Sequence, residues 1–309
     1  MARRAEICAA LGLLVVMATP ALAAPPPRLQ QRLLQVDRAT AWTPAGAVAL
    51  DFATHHPQGM VRVGAEFFVS SVEVRRATVR YDPPRDGHDR DAGAGVGHLF
   101  RIGPDGARRA DLVLGEGDIY HPGGIDYDGR FIWVAVAEYR PNSRSIVYRV
   151  DPATMTATEV LRVDDHIGAI AYDREHGRLY GVSWGGRRFY AWRLRGDARP
   201  SRPSVVANRA HYIDYQDCHY LGGRRMLCSG LAEYRTSPDA DAFALGGWEI
   251  VDLHDFRPVW QSPIPLWAPS GRPMTQNPFA VEPTATGLRA YFMPDDDSST
   301  IFTFDAALP

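Results

Sequence analysis

Histidine, glutamate and arginine recur in this chain at matched positions. A segment opening His56-Pro57-Gln58-Gly59 and closing at Glu73 returns without gaps 65 residues later, from 56 to 121, opening His121-Pro122-Gly123-Gly124 and closing at Glu138. The tetrapeptide Ala-Glu-Tyr-Arg fills 137–140 and 232–235, with Val72-Glu73-Val74-Arg75 as a looser copy. Three further segments open at His166, Gln216 and Asn277, and two of these close on the acids Glu233 and Asp295. The opening residues thus supply three imidazoles and two amides; the closing residues supply four carboxylates. Imidazoles suit zinc, manganese or iron, whereas carboxylate and amide oxygens suit calcium or magnesium. Clustered carboxylates also raise one another's pKa into a range useful for acid–base work.

Two chemistries follow from such a set. His56, His121 and His166 are candidate ligands for one divalent metal ion. Glu73, Tyr139, Arg140, Asp165, Trp184, Gln216, Asp217, Tyr234, Arg235, Asn277 and Asp295 are candidate contacts for a small polar or anionic molecule. In an enzyme, a metal-assisted hydrolase or lactonase, Glu138 or Glu233 would serve as general base on metal-bound water. The structural alternative is that His and Glu tie neighbouring units together while Arg75, Arg140 and Arg235 neutralise the glutamates two residues before them. A protein-interaction scaffold with an inert centre would need nothing more. Asp126, Asp164, Asp165 and Asp217 add acidity near the same positions.

Those residues need a scaffold that brings both ends of each segment to one place. Short apolar or alternating runs separated by Gly, Pro and Asp dominate the chain, and long stretches of helical period are missing. Each repeated segment reads as a hairpin, and further strands follow at 98–102, 145–150, 189–192, 248–252 and 300–304. Four short strands per unit, repeated about an axis, predict an all-β fold of β-propeller type with four-stranded antiparallel blades. Five blades are preferred; six are reached if 47–52 or 257–267 belongs to a further blade. A hairpin begins and ends on the same rim, so the His and Glu positions are expected around one axial funnel. Residues 41–309 are expected to form this single domain, after a mobile segment at 24–40. Within that leader, Leu33 to Val36 is a candidate strand for pairing with the C-terminal strand to close the ring. Residues 86–97, rich in Gly and Asp, read as an exposed insertion.

The motifs His-Pro-x-Gly, Ala-Glu-Tyr-Arg-Pro-Asn-Ser, Asp165-His166-Ile167-Gly168, Tyr215-Gln216-Asp217-Cys218 and Met293-Pro294-Asp295-Asp296-Asp297 resemble an uncharacterised family of secreted bacterial proteins, domain of unknown function family 6454. The resemblance covers most of the chain; it implies a propeller and brings no activity with it. A weaker similarity, of fold alone, is to gluconolactonase and strictosidine-synthase-like propellers, and fold alone does not transfer chemistry.

The first residues read as a secretory signal: Arg3 and Arg4, an apolar core at 7–17, then Ala21-Leu22-Ala23, with cleavage expected after 23. A periplasmic or secreted location is expected, with no membrane span. The formal charge of −2 over 309 residues gives no footprint for nucleic acid. All 34 basic residues are arginine, which excludes lysine Schiff bases and the phosphate-binding P-loop. Beyond the signal, Cys218 and Cys228 flank Leu221-Gly222-Gly223-Arg224, a turn that sets them opposite one another for a disulfide. Gly181-Val182-Ser183-Trp184-Gly185 has the G-x-S-x-G spacing but strands on both sides, so it lacks the helix that pattern needs.

Overall fold

The computed structural model describes residues 28–194 and 200–308; the expected signal at 1–23 lies outside the described residues. A short helix, α1 (Arg28–Leu33), precedes strand β1 (Trp42–Ala49). Next come β2 (His56–Val63), β3 (Glu66–Arg76), the ribbon strands β4 (Arg80–Arg85) and β5 (His88–Arg90), then β6 (Ala94–Ile102) and β7 (Arg108–Leu114). The middle of the chain forms β8 (Ile119–Tyr127), β9 (Ile132–Glu138), β10 (Ser145–Asp151), β11 (Thr156–Val163), β12 (Ile167–Asp173), β13 (Arg178–Ser183), β14 (Arg188–Arg193) and β15 (Ser204–Ala207). The last strands are β16 (Asp214–Gly222), β17 (Arg225–Tyr234), β18 (Phe243–Asp252), β19 (Arg257–Pro263), β20 (Phe279–Pro283), β21 (Gly287–Phe292) and β22 (Thr300–Ala307).

The fold is all-β and propeller-like. Four-stranded sheets run β2-β3-β6-β7, β16-β17-β18-β19 and β1-β22-β21-β20, and a curled eight-stranded sheet runs β11-β10-β9-β8-β12-β13-β14-β15. In that large sheet two antiparallel meanders meet at one parallel bridge, Ala169 to Gly124. Burial follows position in the sheet. Strand β9 is buried along its whole length, whereas outer strand β11 is exposed or half-buried until Val163 at its end; a strand covered on both faces reads as a continuous apolar run. The inner strands β2, β8, β12 and β16 pack against one another, and β2 also packs on β20. Their approach needs glycine. A Cβ on Gly59 would lie 2.5 Å from the backbone nitrogen of Ile125, and one on Gly124, the equivalent glycine of the second repeat, would lie 2.7 Å from the Asp217 carboxylate and 2.8 Å from the Ala169 Cβ. The glycine of His-Pro-x-Gly is therefore a packing requirement of the axis.

An ionic knot pins this axis. The buried carboxylate of Asp217 accepts backbone N–H bonds from Met60 (2.9 Å), Ile125 (3.0 Å), Cys218 (3.0 Å) and Phe279 (3.5 Å). Asp126 accepts from Tyr172 (3.0 Å) and Tyr220 (3.3 Å). Between them lies His219, 3.8 Å from Asp126 and 3.6 Å from Asp217, its Nε2 3.0 Å from the Phe279 carbonyl. These groups reach β2, β8, β12, β16 and β20.

Two expectations about the ends change. The strand that closes on β22 is β1, paired antiparallel from Trp42–Ala306 to Ala49–Thr300 with a register shift between Pro44 and Gly46. Leu33 and Val36 instead bury at the end of α1 and just after it, in a core with Trp248 and Phe292. Gln30 and Gln31 belong to α1. The two segments that a sixth blade would have used lie in β1 and its following loop, and in β19 with the loop beyond it.

Candidate axial site

On one face the inner strands begin around a cavity of about 330 Å³, lined by His56, His121, His166, Gln216 and Asn277 together with Tyr139, Trp184 and Glu233. The repeated opening positions, distant in sequence, thus meet. Register explains why: His121 faces Ala137, Ile167 faces Ser183 and Phe279 faces Phe292, so each inner strand starts where its hairpin partner ends. The imidazoles form a row. His56 and His121 have ring centroids 6.3 Å apart, and His121 and His166 5.8 Å apart. Tyr139 stacks on His121 at 4.1 Å, and Trp184 stands edge-on to His166 at 4.8 Å.

The ring nitrogens differ in what they touch. His166 donates from Nδ1 to the Glu138 carbonyl at 2.8 Å. A carbonyl can only accept, so in the neutral ring Nε2 carries the lone pair. Burial lowers the His166 pKa to about 4, so the ring is neutral near pH 7. His56 donates from Nδ1 to Asp296 at 2.8 Å. Burial alone would push Asp296 up, but hydrogen bonds from His56 and Arg272 hold its carboxyl down to about 2. His121 is 4 % exposed, and neither of its ring nitrogens has a hydrogen-bond partner among the described residues. Burial, and then the neighbouring His166 and His56, lower its pKa well below the usual imidazole range.

The closing positions are less uniform. Glu138 is 1 % exposed, its carboxylate gripped by Arg140 at 2.5 Å and Arg144 at 2.6 Å. Glu73 pairs with Arg75 at 3.0 Å. Glu233 lines the cavity and has no ionic partner among the described residues. Arg235 leaves it and donates to the Ala240 carbonyl at 2.7 Å. Tyr234 is exposed and stacks on Phe243. Asp295 accepts from Ser270 at 2.6 Å. Asp165 is buried under Arg188 and the Tyr190 hydroxyl, and Asp217 sits in the axial knot; neither is among the residues that line the cavity. Ser183 accepts from the Arg188 backbone at 2.9 Å. Cys218 and Cys228 form the expected disulfide across β16 and β17.

Metal geometry is tighter elsewhere. Among the described residues, Asp173, Glu175 and His176 are the group whose ligand atoms all lie within 4.8 Å of one another. They sit in and beside the turn between β12 and β13, where Asp173 accepts from the His176 backbone at 3.1 Å and from its Nδ1 at 2.7 Å. The nitrogens of His56, His121 and His166 are not all that close together.

A family model described as a family of unknown function, DUF6454, matches residues 18–309. The chain belongs to DUF6454. No curated protein matches it. Several solved structures resemble this DUF6454 protein. Kuenenia stuttgartiensis hydrazine synthase gives a TM-score of 0.39 at 13% identity over 82% of this chain and 60% of that one, so the DUF6454 chain spans about three fifths of it. A luciferin-regenerating enzyme gives 0.45 at 8% identity, over 85% and 98%. The WD40 domain of Toxoplasma gondii coronin gives 0.38 at 9% identity, over 89% of each. Likeness at this level carries no chemistry to the DUF6454 site.

Three participants escape a reading of the sequence. Asp296, rather than its neighbour Asp295, holds His56; a run of three aspartates in a turn offers no period to choose between them. His219, the partner of Asp217 in the axial knot, carried no repeat signal. The third is Arg90. The ribbon β4-β5 leaves the end of β3 and lays this guanidinium over Trp184, 5.3 Å from the ring centroid. Asp89 holds Arg90 at 2.7 Å. The 86–97 segment therefore reaches the rim of the funnel.

Proposed function

We propose that this DUF6454 protein is an exported five-bladed propeller of four-stranded antiparallel blades that binds a small polar molecule in its axial funnel. The blade count takes the eight-stranded sheet as two blades, since its halves share a single bridge. Export rests on the N-terminal signal pattern and agrees with the disulfide. Binding rests above all on His121: a buried imidazole with two unpartnered nitrogens is costly unless a ligand satisfies it. A cavity of about 330 Å³ is within the size range of small-molecule sites.

The test is titration of small polar compounds into wild type and His121→Phe. Phenylalanine keeps the stack on Tyr139 and removes both nitrogens. Melting temperature is expected to hold or rise, while affinity falls about tenfold or more, the value of one or two lost hydrogen bonds. Undiminished binding by the variant refutes the reading.

One observation favours a metal as a second reading. His56 and His166 each commit Nδ1 to a carboxylate or carbonyl, the arrangement typical of metal-bound histidines. A bound divalent ion would act as a Lewis acid on ligand or water. The imidazole spacing requires side-chain movement before one ion could be shared. Glu233, which no cation among the described residues neutralises, is the better placed of the two candidate bases; Glu138 is held between two guanidiniums. Elemental analysis of protein purified without chelator decides: absence of stoichiometric metal, with a melting temperature indifferent to chelator, removes this reading.

A further inference from the structure

We infer that the funnel takes a neutral, hydroxyl-rich molecule of the saccharide or polyol class rather than an anion. The inference rests on the funnel being a binding site, and it follows from which polar atoms are left to face a ligand.

Several lining groups are turned acceptor-outward by what their other polar atom does. Asn277 spends its amide N–H groups on the Pro294 carbonyl at 3.1 Å and Asp296 at 3.1 Å, which leaves its carbonyl oxygen. His166 spends Nδ1–H on the Glu138 carbonyl, leaving a lone pair at Nε2. His56 does the same toward Asp296 when its ring is neutral. His121 offers one lone pair and one N–H, both unpartnered. Glu233 offers only acceptors. Gln216, Gln276 and the Tyr139 hydroxyl also line the cavity and can donate, so a complementary ligand must bring donors together with acceptors, as hydroxyls do.

Charge argues in the same direction. Among the described residues, no arginine lines the cavity. Guanidiniums paired with or stacked on residues around it are already committed: Arg90 to Asp89, Arg187 to Asp214, Arg272 to Asp296, and both Arg140 and Arg144 to Glu138. An anionic group entering here would meet the like charge of Glu233 with no uncommitted cation among the described residues to answer it, and that repulsion would cost affinity. Hydroxyls supply donors without charge. The flanking rings of Tyr139 and Trp184 add the amphipathic surface on which such molecules rest.

The experiment is calorimetric titration of wild type, Glu233→Gln and His121→Phe. The panel holds neutral monosaccharides, disaccharides and polyols, each beside its matched uronic or aldonic acid, phosphate ester and amine; glucose, glucuronate, glucose 6-phosphate and glucosamine form one such set. Neutral members are expected to bind wild type roughly tenfold or more tightly than their acids, the equivalent of about 1.4 kcal/mol. In Glu233→Gln that gap is expected to narrow severalfold at unchanged melting temperature, because the side chain is exposed. An acid or phosphate that binds as tightly as its neutral parent, with loss in His121→Phe, overturns the inference and leaves the funnel a binding site. So does an amine preferred more than tenfold. No binding by any member at millimolar concentration overturns the inference and the site together.

Discussion

His166 and His121 are held neutral by burial, and this state is what lets them act as acceptors. The consequence is measurable. Ring carbon and nitrogen shifts of His166 are expected to report the Nδ1–H tautomer from pH 8 down to about 5, with titration only near 4. Titration near 6.5, the ordinary value, would show an open, solvated ring and undo the acceptor assignment. The sign for stability follows. A histidine whose folded pKa is depressed binds fewer protons folded than unfolded, so stability falls as pH drops from 6.5 toward 4. Much of this residue pattern was legible in the sequence. The 65-residue repeat found His56 and His121, and the rule that a hairpin starts and ends on one rim gathered His166, Gln216 and Asn277 with them. The glutamates were harder. Glu138 and Glu233 share a tetrapeptide, yet Glu138 turns toward Arg140 and Arg144 while Glu233 lines the funnel. Arg235 turns to the Ala240 carbonyl where Arg140 holds Glu138, and Arg144, beyond the repeated motif, adds a second cation; no local pattern announces either.

At the scale of elements the ribbon β4-β5 and the hairpin β16-β17 carry the clearest expectations. Gly and Asp in 86–97 read as an exposed insertion, but composition says nothing about what the ribbon touches at its base, where Arg90 pairs with Arg80. Arg90 stands over Trp184 with its side chain only 15% exposed. Arg90→Ala should cost about 1 kcal/mol, the value of a partly desolvated cation–π pair, and should brighten or shift tryptophan emission. Trp184→Phe in the same background should abolish that optical change; emission that stays constant in Arg90→Ala would detach the ribbon from the rim. The disulfide was legible by symmetry about the turn, since antiparallel pairing puts Cys218 against Cys228. Replacing both with serine is expected to cost roughly 2–4 kcal/mol, with loss of the excess in denaturant midpoint on oxidation as the readout. The ring closure was not legible. Trp42 to Ala49 and Leu33 to Val36 are both short apolar runs, and choosing the strand between them depended on pairing with β22, some 250 residues away.

Across the whole molecule, Asp217, His219 and Asp126 decide how the inner strands hold together, and they also decide how stability responds to alkali. Burial disfavours the His219 imidazolium, but Asp217 and Asp126 override it and raise its pKa to about 9. Burial pushes Asp217 up to about 7, against the pull of His219 and of the N–H groups of Met60, Ile125 and Phe279. Both folded pKa values lie above their unfolded ones, so the folded state holds more protons. Their contribution is complete below the unfolded values and is lost as pH rises through 7 and then 9. For His219 the loss between pH 6.5 and 9 is on the order of 3 kcal/mol. Chemical denaturation of wild type should therefore show stability falling from pH 7 to pH 9.5. His219→Gln should be less stable at pH 7, because it strands two carboxylates, and flatter over the same interval. A wild-type curve level to pH 9.5 would mean that the imidazole carries no proton and that neutral hydrogen bonds hold the axis. Asp217→Asn separates charge from geometry. Its single amide oxygen can serve Ile125 and Cys218 or Met60 and Phe279, not both pairs. It should lose about 3–5 kcal/mol, as when one partner of a buried charged network is removed. If the inner strands are joined at this point, the loss is cooperative: one unfolding transition moves to lower denaturant and does not split into two.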